Sequence, residues 1–68
     1  MALSARNLLK GKVKDVKKGT VMAEVTVEVA PGVDVVSAIT TSSVDRLNLA
    51  IGKEVEVVIK ATSVMLNA

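Results

Sequence analysis

Apolar residues occupy every odd position of "VMAEVTVEVA" (21–30), with Glu24, Thr26 and Glu28 between them, and this alternation limits the possible fold more than any other feature of the sequence. The apolar positions are Val21, Ala23, Val25, Val27 and Val29. A period of two places all of them on one face of an extended chain. The segment is therefore predicted to be a half-buried β-strand.

A second strand is predicted just before it, because "LKGKVKD" (9–15) shows the same alternation. The connecting residues include Gly19, which permits a positive φ, so the two strands are predicted to form a hairpin. With Gly19 at its centre, Lys14 would face Glu24 and Lys10 would face Glu28. The lysine-rich run is then one solvent-exposed face of a sheet.

The next segments predict a third strand followed by a short helix. Pro31 and Gly32 mark a turn, and "VDVVSAIT" (33–40) is apolar at successive positions, which predicts a strand buried on both faces. Thr41 or Ser42 then provides a hydroxyl to cap a helix of one or two turns. Asp45 would lie in its first turn.

Gly52 precedes a fourth alternating strand, "EVEVVIK" (54–60), and the apolar segment 61–68 is predicted to add a short fifth strand. The order is three strands, a helix and two strands. It indicates an all-β fold, a small five-stranded barrel of the oligonucleotide/oligosaccharide-binding type with one short helix between strands 3 and 4. No repeat or linker interrupts residues 1–68, so a single domain is predicted.

Size and composition indicate self-association. At 68 residues the chain is near the lower limit for folding on its own core, and it has no Cys to form disulfides. Without Cys or His a transition-metal site is not expected. Half of the residues are hydrophobic, so surplus apolar surface is expected between subunits.

No segment is typical of a membrane span or signal peptide, which predicts a cytoplasmic protein that binds no membrane.

The composition also argues against two classes of function. The absence of His, Cys and Tyr removes most nucleophile and base pairs, so no enzyme is expected. Small barrels of this type often bind single-stranded nucleic acid by stacking bases on aromatic rings. This chain has no aromatic residue, and nucleic-acid binding is the least favoured alternative.

Three polar segments could instead bind a small oxyanion: "SARN" (4–7), "TTSS" (40–43) and "KATS" (60–63). They supply hydroxyl, guanidinium and ammonium donors, and none contains an acidic residue. Monohydrogen phosphate must donate a proton, so a site made only of donors favours sulfate, molybdate or tungstate. Taken singly, the hydroxyls are also explained as turn and cap residues, and Lys60 as a solvated charge.

The segments "SARNLLKGKV" (4–13), "AITTSSVDRLNLAIGKEV" (38–55) and "VIKATSVML" (58–66) resemble a molbindin, one of the small molybdate- and tungstate-binding proteins of bacteria. The resemblance implies a hexamer built from dimers, with oxyanions held at subunit interfaces and no bond from protein to metal. It implies no cofactor. By position, one subunit would contribute Ser4, the Ala5 N–H and Arg6. Its neighbour would contribute Thr40, Ser43, Lys60 and the Ala61 N–H. Asn7 and Thr62 are further candidates.

The sequence therefore predicts a protein that binds molybdate or tungstate for intracellular storage or homeostasis. A regulatory sensing module or oligomeric scaffold that responds to the oxyanion is the alternative.

Overall fold

The computed structural model describes residues 5–68, which form a four-stranded antiparallel sheet with a short helix. The strands are β1 (Asn7–Lys18), β2 (Met22–Ala30), β3 (Val33–Thr40) and β4 (Glu54–Ile59). Helix α1 (Thr41–Arg46) connects β3 to β4, and the 3-10 turn η1 (Ala61–Ser63) follows β4. The strand order in the sheet is β3-β2-β1-β4.

β1 joins the two parts of the sheet. Its first half pairs with β4, from Asn7 opposite Ile59 to Lys12 opposite Glu54, and its second half pairs with β2. A bulge between Val13 and Asp15 shifts the β1–β2 register. Extra residues of this kind bend a strand, so β1 can curve from one neighbour to the other.

The core consists of small and β-branched side chains from the alternating strands and from the helix. Its fully buried members are Val13, Ala23, Val25, Val27 and Val44. Three of them lie on β2, at every second position, as the alternation predicted. Val44 is 1% exposed and packs the inner face of α1 against the sheet. Val21 is 69% exposed, because it lies in the turn before β2.

The hairpin forms, but the predicted pairing of its lysines is wrong. Lys17, not Lys14, lies opposite Glu24, and Lys12, not Lys10, lies opposite Glu28. Lys18 pairs with Ala23, so the reversal is centred between Thr20 and Val21 instead of on Gly19. The later position of the reversal sets the Lys17–Glu24 pair, and the bulge shifts the register again before the Lys12–Glu28 pair.

Three further expectations need correction or are not confirmed. β3 is not buried on both faces: it lies at an edge of the sheet, and Val36 on its outer face is 59% exposed. Among residues 5–68, segment 61–68 forms η1 and then continues without regular secondary structure, so no fifth strand is present there. The closed five-stranded barrel is therefore not confirmed, and β3 and β4 are the open edges of the sheet. Within the same range, no helix is long and apolar enough to cross a membrane.

Candidate functional site

The start of β1 and the end of β4 lie side by side. Asn7 pairs with Ile59, and the Asn7 side-chain amide donates to the Ile59 carbonyl at 3.2 Å. Arg6 immediately precedes this pair and Lys60 immediately follows it. Antiparallel pairing therefore brings together two cations that are 54 positions apart in the chain (60 minus 6). Both residues are exposed, so both charges are available to a ligand or a partner.

The turn after Lys60 adds a backbone donor to this end of the sheet. Lys60 is the N-cap of η1, and its carbonyl accepts from the Ser63 N–H at 2.8 Å. The N–H of Ala61, at the first position of η1, has no carbonyl partner within the turn. Ala5 is half-buried and Thr62 is exposed. Ser4, the remaining candidate in "SARN", lies outside the described residues.

We call these residues the strand-end group: Ala5, Arg6, Asn7, Lys60, Ala61 and Thr62.

A second set of donors, the hydroxyl cluster, consists of Thr40, Ser42 and Ser43 at the start of α1. Thr40 is the N-cap: its Oγ1 accepts from the Ser43 N–H at 3.1 Å. The same oxygen lies 2.7 Å from the Ser43 Oγ and 3.2 Å from the Ser42 Oγ. The cap is thus one residue earlier than predicted, and Asp45 does not lie in the first turn. Three hydroxyls meet within hydrogen-bonding distance.

Arg46 extends the hydroxyl cluster and is absent from the residues proposed from sequence. Its Nη2 lies 3.4 Å from the Ser43 Oγ. Residues three positions apart in a helix share a face, so the spacing of Ser43 and Arg46 could have indicated this contact. Beside it, the Asp45 carboxylate is engaged by the Lys18 ammonium at 2.6 Å. Asp45 is therefore paired with Lys18, and Arg46 is the charged residue in contact with the hydroxyl cluster.

The two groups lie at opposite ends of β1. The strand-end group adjoins Asn7, where β1 begins. The hydroxyl cluster adjoins the other end, since Thr40 pairs with Met22 and Lys18 pairs with Ala23. The twelve residues of β1 run from one group to the other. No hydrogen bond or ion pair of residues 5–68 joins the two groups. Lys60 and Ala61 lie with Arg6 in the same chain, away from Thr40 and Ser43.

The surface between the two groups carries cations and anions in alternation. On β1, Lys10 lies opposite Glu56, while Lys12 lies between Glu54 on β4 and Glu28 on β2. Lys14 forms an ion pair with Asp34 at 3.0 Å. The lysines that gave the sequence its basic run thus face carboxylates, so this surface is not a uniformly positive groove. Among residues 5–68, no three His, Cys, Asp or Glu side chains cluster closely enough to hold a metal ion.

Comparison with known proteins places this arrangement in a family. The TOBE domain profile matches residues 3–66, nearly the whole chain. Molybdenum-pterin-binding protein 3 of Clostridium pasteurianum is 52% identical to it over 68 residues, covering all of both chains. The chain is a TOBE domain of the molybdenum-pterin-binding type. The resemblance to molbindins found in the sequence is confirmed.

Solved structures agree with this assignment. The TOBE domain described here superimposes on a molybdate-binding protein from Sporomusa ovata with a TM-score of 0.93, at 40% identity and with complete coverage of both chains. It also matches the cytoplasmic molybdate-binding protein ModG, crystallised with molybdate bound, with a TM-score of 0.85 and 43% identity. That match covers 90% of the TOBE domain and 43% of the ModG chain. The four-stranded sheet and helix are therefore the fold of known molybdate-binding proteins.

Proposed function

We propose that this TOBE domain binds molybdate, or the similar tungstate, as an intact oxyanion held between copies of the chain. The observation that carries the proposal is the separation of the two donor groups at opposite ends of β1. A small anion can use both groups only if they come from different copies. The names of the relatives, molybdenum-pterin-binding and molybdate-binding proteins, support molybdenum as the element bound.

The chemistry of the donors fits a fully deprotonated dianion. Arg6 and Lys60 supply charge, and Thr40 and Ser43 supply hydroxyls. Charge-assisted hydrogen bonds to ionised donors are stronger than bonds between neutral groups. No carboxylate lies within the segments 4–7, 40–43 or 60–63, so an anion that must donate a proton finds no ionised acceptor there. The metal stays inside its oxyanion, and the protein contributes hydrogen bonds and charge alone.

The division of donors between copies is the one that the resemblance to molbindins implies. One copy would contribute Ser4, the Ala5 N–H and Arg6, and copies beside it Thr40, Ser43, Lys60 and the Ala61 N–H, with Asn7 and Thr62 as further candidates. An interface excludes water, which strengthens each bond to the anion. We propose a hexamer built from three dimers, in which residues 1–68 act as a single binding domain.

The biological role proposed is storage and homeostasis of molybdenum in the cytoplasm, without catalysis. The description of ModG as cytoplasmic supports the location. Binding by hydrogen bonds and charge leaves the anion unchanged, as storage requires.

Native mass spectrometry with equilibrium dialysis tests this function. The purified chain should form a hexamer that retains a reproducible whole number of molybdate ions. Ser43→Ala should reduce uptake, because it removes a hydroxyl from the proposed site. Thr26→Val, a change on the outer face of β2, serves as the matched control and should leave uptake unchanged. A chain that takes up no molybdate, as a monomer or a hexamer, would contradict the proposal.

A further inference from the structure

Arg46, the last residue of α1, makes a hydrogen bond that its place in the helix does not require. A cation in the last turn of a helix usually acts on the carbonyls at the C-terminal end. The Arg46 side chain instead extends back by three positions, and its Nη2 donates to the Ser43 Oγ at 3.4 Å. Among residues 5–68 it forms no ion pair, and the acid beside it, Asp45, is engaged by Lys18. Within this range the guanidinium therefore contacts a hydroxyl and no carboxylate.

This bond affects the direction of the other hydrogen bonds in the hydroxyl cluster. A hydroxyl oxygen has one proton to donate and two lone pairs that accept. The Thr40 Oγ1 accepts from the Ser43 N–H, and it lies 2.7 Å from the Ser43 Oγ and 3.2 Å from the Ser42 Oγ. A guanidinium can only donate, so Arg46 fills one lone pair of the Ser43 hydroxyl.

One arrangement of protons satisfies all of these contacts and leaves the Ser43 proton for a ligand. Ser42 donates to Thr40, and Thr40 donates to Ser43. The two lone pairs of Thr40 are then filled by the Ser43 N–H and the Ser42 hydroxyl. The two lone pairs of Ser43 are filled by Thr40 and Arg46, so that the Ser43 hydroxyl can only donate. Hydrogen bonds in such a chain polarise one another, which makes the last hydroxyl a stronger donor.

We propose that Arg46 is a positioning residue that sets the selectivity for deprotonated oxyanions, a role that rests on the oxyanion site proposed above. By filling a lone pair of Ser43, Arg46 keeps this hydroxyl a donor, as molybdate requires. Without Arg46 the same oxygen has a free lone pair, which accepts the proton of monohydrogen phosphate. The donor segments contain no carboxylate, and Arg46 removes the neutral acceptor that Ser43 would otherwise provide.

Arg46→Met tests this role by equilibrium dialysis with molybdate, and with phosphate as its competitor. In mildly alkaline solution phosphate is mainly the monohydrogen dianion, so both anions carry two negative charges. Loss of the Arg46 charge alone would therefore weaken both anions by the same factor. Loss of the bond to Ser43 should also lower the ratio of molybdate affinity to phosphate affinity about fivefold, the scale of one hydrogen bond. An equal loss for the two anions would overturn the proposal.

Two further variants serve as controls for this measurement. Arg46→Lys retains a cationic donor and should keep the affinity ratio of the wild type. Lys12→Met removes a charge from β1, between Glu54 and Glu28, and should keep the ratio as well. A ratio that falls as far in Lys12→Met as in Arg46→Met would contradict a role specific to Arg46. Because Arg46 is exposed, its replacement removes no contact from the core.

A double variant shows whether Arg46 acts through Ser43. In a Ser43→Ala background the serine lone pairs are absent, so adding Arg46→Met should leave the affinity ratio unchanged. The same fall in the ratio with and without the Ser43 hydroxyl would overturn the proposal.

The measurements also separate this role from the proposed function. A wild type that takes up molybdate, with an unchanged affinity ratio in Arg46→Met, would support the function and overturn the role of Arg46. A wild type that binds neither anion would contradict both.

Discussion

Arg6 and Lys60 show how a pair of side chains far apart in sequence becomes a local concentration of positive charge. Neither has a carboxylate partner among the ion pairs of the described residues, which join Lys14 to Asp34 and Lys18 to Asp45. Both side chains are exposed beside the paired ends of β1 and β4, so both charges are available to the proposed oxyanion.

Arg6→Ala should weaken molybdate binding about 5- to 30-fold, corresponding to about 1–2 kcal/mol, the scale of a lost charged hydrogen bond. Equilibrium dialysis measures the change. Lys10→Ala removes the same charge from the middle of β1, opposite Glu56, and should have little effect. Equal losses in the two variants would show that net charge, not the position of Arg6, determines affinity.

The Lys14–Asp34 ion pair should make the free energy of unfolding fall as the solution becomes strongly alkaline. The hydrogen bond to Asp34, and then its negative charge, raise the pKa of Lys14 above its ordinary value. A raised pKa means that the folded state holds the proton more tightly than the unfolded state. The ion pair's contribution to the free energy of unfolding is therefore complete below the ordinary lysine pKa. It is lost as the pH rises through the raised pKa of Lys14.

Urea unfolding of the wild type and of Lys14→Gln at several pH values tests this sign. The wild type should be slightly more stable at neutral pH, and the difference should vanish in strongly alkaline solution. Asp34→Asn should reproduce the behaviour of Lys14→Gln. A difference that grows with pH would contradict the assignment.

Among the elements, β1 depends on a glycine for its close approach to β2. A Cβ atom at Gly11 would lie 2.5 Å from the Glu28 carbonyl oxygen and 2.8 Å from the Val27 Cγ1. Both distances are well below van der Waals contact, and the closer atom belongs to the backbone. The strand therefore passes its neighbour at a separation that only a residue without a side chain allows.

Gly11→Ala should lower the free energy of unfolding by about 1–3 kcal/mol, the range found for overpacked positions. Where a Cβ atom has open space, a glycine-to-alanine change instead stabilises a protein by about 0.4–1 kcal/mol, because alanine reduces the conformational entropy of the unfolded chain. The sign of the measured change therefore shows whether β1 passes as close to the Glu28 carbonyl as described. Chemical denaturation measures it, with Lys12→Ala as the control in the adjacent exposed position.

Strands and helix could be predicted from periodicity, while their pairing could not. Alternation identified the buried face of β2, and hydroxyls marked the start of α1 within one residue. The hairpin register was wrong because the reversal lies at Thr20 and Val21 and a bulge lies between Val13 and Asp15. The sequence carries a sign of the bulge: the apolar positions change from odd to even between Val13 and Val16, and both pack in the core. The candidate hydrogen-bond donors could be identified from the sequence, because hydroxyl and cationic residue types are concentrated in segments 4–7, 40–43 and 60–63. That Lys60 lies beside Arg6 depends on the β1–β4 pairing, which the local pattern does not encode.

For the whole molecule, a ligand held between copies should stabilise the assembly by an amount that rises with the logarithm of ligand concentration above Kd. A ligand that binds only the folded state at 100 times its Kd adds about 2.7 kcal/mol by mass action. Molybdate should therefore raise the Tm of the assembly, with tungstate similar. Phosphate at the same concentration should raise it much less, because the donor segments provide no carboxylate to accept its proton. Equal shifts for molybdate and phosphate in scanning calorimetry would contradict the donor-only site.

Val13 connects the parts of this small fold. It is 2% exposed, donates from its N–H to the Lys53 carbonyl at 2.9 Å and accepts from the Gly52 N–H at 2.8 Å. The residue at which β1 changes from one neighbour to the other is thus also the anchor of the loop that leads into β4. In deuterium labelling, its amide should exchange through global opening alone, so that this one proton reports the stability of the entire chain.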